Sequence, residues 1–113
     1  MKRFLFAAIL AVGLASTACA SGPVITDADA KVLVQKGAVL VDVRTPEEFA
    51  DGHAEGARNI PVSEITSRAG EIPRDHPVVV YCASGARSAQ AASTLARMGY
   101  SVRNLGTLDA WRH

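Results

Sequence analysis

The chain is poor in cysteine, lacks an excess of charge of either sign, and has no apolar run of membrane-spanning length. Its 113 residues include two cysteines, which form no C-x-x-C pair, and three scattered histidines, so the sequence has no ligand set at zinc spacing. A formal net charge of +1 without a basic patch argues against binding to nucleic acid or an anionic membrane surface. Internal repeats, low-complexity tracts and linkers are also absent, and the length allows one domain.

The first twenty residues have the pattern of a secretory signal peptide. Lys2 and Arg3 precede an apolar run that is well below the ~20 residues of a spanning helix. Small residues then lead to an A-x-A cleavage site at Ala18–Ala20. The sequence therefore predicts a signal peptide over residues 1–20 and an exported, periplasmic domain over residues 21–113.

Cys19 leaves an alternative maturation open. Bacterial lipoprotein signals usually carry leucine three residues before the lipidated cysteine, and Ser16 stands there instead. Ordinary cleavage is therefore favoured, and the alternative is a membrane-anchored lipoprotein with a lipid on Cys19. Cleavage after Ala20 would leave Cys82 as the sole cysteine and shift the formal charge to −1. Because an unpaired thiol is a liability in an oxidising compartment, its presence indicates that Cys82 reacts.

The most informative stretch surrounds Cys82. Val78–Tyr81 is an apolar, β-branched run without alternation, which is typical of a strand buried on both faces of a parallel sheet. Cys82 would then lie at the carboxyl end of the strand, where open α/β sheets bind ligands. A packing role for a buried cysteine is the alternative. The residues that follow would form an anion-binding loop, which consists of Ala83, Ser84, Gly85, Ala86 and Arg87.

The composition of this loop favours a reactive thiolate. Small side chains allow successive backbone N–H groups to turn inward as a nest for an anion. The helix predicted to follow adds the positive end of its dipole, which favours a thiolate over a thiol. Arg87 adds a fixed positive charge at the rim. The loop thus predicts a nucleophilic cysteine in an anion-binding site.

Strand and helix patterns alternate along the rest of the chain. Thr26 and Thr45 are predicted helix N-caps, and Glu48 completes a capping box with Thr45. The alternation predicts βαβ units and a parallel sheet. The predicted strands cover residues 38–41, 57–60, 78–81 and 102–105, and the predicted helices cover residues 27–36, 46–51, 63–69, 87–98 and 108–111.

Several of these motifs resemble the rhodanese family. The resemblance rests on Val41-Asp42-Val43-Arg44 with Thr45–Phe49, on Gly56–Pro61, on Cys82–Ser88, and on Leu105-Gly106 with Ala110-Trp111. It covers about residues 24–112. The short exported domain is similar to the small periplasmic sulfurtransferases of the phage-shock-protein E type.

The resemblance implies a five-stranded parallel sheet with helices on both faces. It implies that Cys82 takes the outer sulfur of a small sulfur-containing anion, thiosulfate or another persulfide donor, and becomes a persulfide. A thiol acceptor or cyanide would then receive the sulfur, without a metal or organic cofactor. Asp42 and Arg44 would support the loops near the sheet edge. We expect a monomer. Ala83 stands where many thiosulfate-using members carry arginine or lysine, which puts efficient use of thiosulfate in doubt.

Two other functions remain open at this point. Related folds use a cysteine, an anion-binding loop and an arginine in phosphatase or arsenate-reductase chemistry. Four residues separate Cys82 from Arg87, whereas the phosphatase signature has five, so the loop length favours sulfur transfer. A non-catalytic module that carries sulfur or binds a partner is the other alternative.

Overall fold

The structure, a computed structural model, describes residues 23–112. The predicted signal peptide, its cleavage site and the lipid site at Cys19 lie outside these residues. The helices are α1 (Asp27–Gln35), α2 (Pro46–Asp51), α3 (Ile65–Arg68), α4 (Ala86–Arg97) and α5 (Leu108–Arg112). The strands are β1 (Val39–Asp42), β2 (Arg58–Asn59), β3 (Val78–Cys82) and β4 (Val102–Thr107). Two short 3₁₀ turns, Val62–Glu64 and Ala69–Glu71, flank α3.

The strands form one parallel sheet in the order β2-β1-β3-β4. The predicted α/β class and parallel pairing are confirmed. β3 lies in the interior of the sheet between β1 and β4, and all five of its residues are buried. This position explains why its sequence is continuously apolar, since both faces of the strand are covered.

The sheet has four strands among the described residues, so the expected number of five is wrong in this detail. The place beside β4 is taken by an isolated parallel bridge between Val24 and Asn104. Asn104 donates its N–H to the Pro23 carbonyl at 2.9 Å and accepts from the Ile25 N–H at 3.1 Å. The chain then enters α1, because the Thr26 hydroxyl caps that helix by accepting the Asp29 N–H. Pairing ends before a full strand forms.

Helices cover both faces of the sheet, as expected. Val78, Val80 and Cys82 of β3 point into a core shared with α3 and α4, where the largest fully buried side chains are Ile60, Ile65, Ile72 and Leu95. Val79 and Tyr81 point the other way, into a core shared with α1 and α5. Cys82 thus belongs to the face that carries α4, which places the sulfur beside the start of that helix.

Membrane-spanning helices and clusters of metal ligands are both absent from residues 23–112. No helix in that part of the chain is long and apolar enough to cross a membrane. The same residues contain no group of three or more histidine, cysteine, aspartate or glutamate side chains arranged to hold a metal ion.

Candidate active site

The chain passes from a buried strand to an exposed loop at Cys82. Cys82 is the last residue of β3 and has no exposed surface. Ala83, Ser84 and Ala86, in contrast, are exposed. Gly85 has a φ of +102°, a left-handed conformation that a residue with a Cβ adopts only at a cost, and it forms the N-cap of α4. This turn folds the predicted anion-binding loop back over the sulfur.

Backbone N–H groups are directed at the sulfur. The Gly85 N–H donates to Cys82 Sγ at 3.0 Å, and the Ser88 N–H donates to it at 3.3 Å. Both donors belong to the start of α4, whose first N–H groups have no partner within the helix. The loop and the first turn of α4 therefore direct donors toward the atom that would carry negative charge.

The environment of Cys82 has two opposing effects on its pKa. Burial is the largest single effect and raises the pKa, because it disfavours the charged thiolate. The Ser88 hydroxyl and the N–H groups of Ser88, Gly85 and Ser84 lower the pKa. Together these polar groups outweigh burial, so the pKa of the thiol lies below its ordinary value. The thiolate of Cys82 is therefore easier to form than that of a free cysteine.

Ser88 is a site residue that the sequence analysis did not single out. It is fully buried, and its hydroxyl also lies 3.1 Å from the Gly85 carbonyl and 3.2 Å from the Gly106 carbonyl. These contacts tie the loop and α4 to the end of β4. A serine directly after Arg87 was visible in the sequence, but its approach to the sulfur depends on how tightly the loop turns.

Arg87 is held by a carboxylate from another part of the chain. Its Nη1 donates to Glu48 Oε1 at 2.7 Å and its Nη2 donates to Glu48 Oε2 at 3.0 Å. The Thr45 N–H also donates to Glu48 Oε1 at 3.0 Å, so the predicted capping box of α2 is present. Arg87 lowers the pKa of Glu48 to about 2, with help from Thr45. The positive charge expected at the rim is therefore paired.

Asp42 and Arg44 form a second ion pair, in the connection between β1 and α2. The guanidinium of Arg44 donates to Asp42 Oδ2 at 2.6 Å and to the Gly52 carbonyl at 2.7 Å. The Arg44 N–H donates to Asp42 Oδ1 at 2.9 Å. The amide of Asn59 in β2 donates to the carbonyls of Asp42 and Arg44 at 3.0 and 2.9 Å. Contacts to backbone at both ends of α2 and to β2 make this pair a brace for the connection.

A separate cleft of about 270 Å³ lies at the opposite edge of the sheet. Its lining includes Val39 and Leu40 at the start of β1 and Arg58 at the start of β2. None of the predicted site residues lines it. The N–H groups that donate to Cys82 Sγ lie instead at the carboxyl edge of the sheet. That edge is therefore the candidate active site.

Comparison with known proteins places the chain in a family. The sequence pattern of the Rhodanese-like domain matches residues 26–113. The chain is 50% identical over 78 residues to a sulfurtransferase of Allochromatium vinosum, covering 66% of this chain and 73% of that protein. It is 44% identical over 71 residues to thiosulfate sulfurtransferase PspE of Escherichia coli, covering 60% and 68%.

A further relative, the uncharacterized protein YqhL of Bacillus subtilis, is 47% identical over 76 residues. That alignment covers 66% of this chain and only 60% of the relative. Sulfur transfer by a domain of this kind is thus supported by the named relatives.

Solved structures agree with the fold. A rhodanese-related protein from Thermoplasma volcanium is similar with a TM-score of 0.72 and 32% identity, covering 80% of this chain and 90% of that one. A rhodanese from E. coli, solved with anions, has a TM-score of 0.62 and 39% identity, covering 66% and 91%. Since the family pattern spans most of the sequence and the fold agrees with it, the chain belongs to the family of rhodanese-like domains.

Proposed function

We propose that this protein transfers sulfane sulfur through a persulfide on Cys82. The observation that carries the proposal is the pair of N–H groups, from Gly85 and Ser88, that donate to Cys82 Sγ. Preorganised donors of this kind stabilise negative charge on the sulfur before and during transfer. The relatives named as sulfurtransferases and the related rhodanese solved with anions support the same reading.

The proposed reaction has two displacements. The thiolate of Cys82 attacks the outer sulfur of thiosulfate or another persulfide donor, and the donor's S–S bond breaks. With thiosulfate, sulfite leaves with the bonding electron pair and Cys82 becomes a persulfide anion. A thiolate acceptor or cyanide then attacks the outer sulfur of the persulfide, which returns the Cys82 thiolate. Atoms and charge balance without a metal or organic cofactor.

The N-terminal sequence is the basis for a proposal about the compartment in which this reaction takes place. We infer export to the periplasm from the signal pattern of residues 1–20, with cleavage before Ser21. Amino-terminal sequencing of the protein recovered from cells should give Ser21 as the first residue. Recovery of a lipid-modified protein that begins at Cys19 would contradict this inference and favour a membrane-anchored form.

Mass spectrometry of the thiosulfate-treated protein tests the proposed chemistry. The peptide that contains Cys82 should gain one sulfur atom and lose it when cyanide is added, with formation of thiocyanate. Cys82→Ser should gain no sulfur there, because an alcohol oxygen forms no persulfide, and the small change in volume should preserve the fold. If the Cys82 peptide of the parent gains no additional sulfur, or if Cys82→Ser transfers sulfur at the parental rate, the mechanism is contradicted. Sulfur loading without thiocyanate formation would instead indicate a carrier.

A further inference from the structure

The positive charge beside the anion-binding loop is neutralised by a fixed carboxylate. Arg87 is the only charged residue of the loop, because the other four are alanine, serine or glycine. Both of its terminal nitrogens donate to Glu48, which is itself held by the backbone and hydroxyl of Thr45. Glu48 is therefore anchored at the start of α2 independently of Arg87. The pair leaves the rim of the candidate site with little net charge.

The pair is open to solvent and hence to a donor. The side chains of Arg87 and Glu48 are 34% and 35% exposed. An anion that approaches the loop meets the attraction of Arg87 and the repulsion of Glu48 together. A dianion experiences that repulsion twice as strongly as a monoanion of the same shape, because the Coulomb energy is proportional to the charge. The carboxylate therefore affects donors according to their charge.

We propose that Glu48 is a specificity-determining residue, which weakens the binding of dianionic donors such as thiosulfate and favours organic persulfides and thiosulfonates that carry less charge. This inference rests on the proposed function, since it concerns the donor for the same Cys82. Glu48 then has a role beyond the capping box. The same carboxylate caps α2 and offsets the positive charge of Arg87 that would attract an anionic donor.

Glu48→Gln separates these two roles. Glutamine also completes a capping box, so the start of α2 is retained while the negative charge is removed. Glu47→Gln is the matched control, because Glu47 is the adjacent exposed residue of α2 and loses the same charge. Both variants and the parent are assayed for thiocyanate formation with two donors, thiosulfate as the dianion and methanethiosulfonate as the monoanion.

The expected result is a charge-dependent change in KM. At low ionic strength the KM for thiosulfate should fall about threefold to tenfold in Glu48→Gln, with kcat retained. The logarithm of the change should be about half as large for methanethiosulfonate, and both changes should shrink with added salt. Glu47→Gln should stay close to the parent. Equal changes for the two donors, no fall for thiosulfate, or the same fall in Glu47→Gln would overturn the proposal.

A second readout does not depend on turnover. The folded protein is alkylated with iodoacetate, an anion, or with iodoacetamide, its neutral counterpart. The rate is measured on the peptide that contains Cys82. The ratio of the iodoacetate rate to the iodoacetamide rate should rise in Glu48→Gln and not in Glu47→Gln. If the parent forms no persulfide, the proposed function fails, yet a raised ratio still establishes that Glu48 selects against anions. An unchanged ratio overturns that role even when sulfur transfer is observed.

Discussion

The two ends of α2 are tied to two arginine–carboxylate pairs that have nearly the same geometry and very different surroundings. The shortest N–O distance is 2.6 Å between Arg44 and Asp42 and 2.7 Å between Arg87 and Glu48. The side chains of Arg44 and Asp42 are 8% and 0% exposed, whereas those of Arg87 and Glu48 are 34% and 35% exposed. Burial rather than distance distinguishes the pairs.

Because they differ in burial, the two pairs have different effects on stability and on anions that approach the site. A buried charge that loses its partner has no water to replace it, so removal of either partner of the Asp42–Arg44 pair destabilises the connection between β1 and α2. An exposed pair contributes little to stability because water solvates both charges. Its charges remain available to a solute, so the Glu48–Arg87 pair is suited to influence which anion reaches Cys82.

Arg44→Ala should give the largest effect. It leaves the buried carboxylate of Asp42 without its guanidinium and removes the bond to the Gly52 carbonyl. Removal of one partner from a buried pair costs about 3 to 5 kcal/mol, so the free energy of unfolding measured in urea should fall by that order. A loss below about 1 kcal/mol would show that the two pairs are energetically alike, against the comparison.

Arg87→Ala should have a smaller effect on stability and a selective effect on donor use. The unfolding free energy should change by less than about 1 kcal/mol. The KM for thiosulfate should rise because Glu48 then repels the donor without an opposing cation. Arg68→Ala is the stability control, since Arg68 forms a comparable surface pair with Glu64 and Glu71. A stability loss well above that of Arg68→Ala would contradict the view that this pair is mainly electrostatic.

Ser88→Ala should give the smallest of the three effects, seen mainly in the titration of the thiol, although it also removes the hydroxyl contacts to the Gly85 and Gly106 carbonyls. The hydroxyl of Ser88 lowers the pKa of Cys82, and its backbone N–H remains in the variant. The pKa of Cys82 should therefore rise in the variant. Ser84→Ala is the matched control, because Ser84 is exposed and contributes through its backbone N–H. An unchanged pKa of Cys82 in Ser88→Ala, or an equal rise in Ser84→Ala, would show that the Ser88 hydroxyl does not influence the thiol.

Much of the fold could be predicted from local patterns. The uninterrupted apolar run of β3 and the capping box at Thr45 each depend on neighbours in sequence, and both are present. The alternation of strands and helices was sufficient for the parallel sheet. The number of strands was not predictable in this way, because Thr26 ends the pairing of residues 23–25 after one bridge.

The candidate site was predictable in part. Cys82 at the end of a strand and the small residues after it could be read from the sequence. The partner of Arg87 could not be predicted, because Glu48 lies 39 residues away. The capping box was already a sufficient explanation for a glutamate at that position. The contact depends on how α2 and the loop before α4 come together at the carboxyl edge of the sheet, which no local pattern encodes.

The most direct test of the central claim is the alkylation rate of Cys82 against pH. Iodoacetamide is reacted with the native and the urea-unfolded protein, and the peptide that contains Cys82 is quantified. Glu48 has a pKa of about 2 and stays ionised throughout, so the thiol is the group expected to titrate at the site. Since the thiolate reacts, the native rate should reach half of its plateau below the ~8.5 of a free cysteine, and the unfolded rate should do so near that value. A native midpoint at or above the unfolded one would contradict the claim that the loop holds Cys82 as a thiolate.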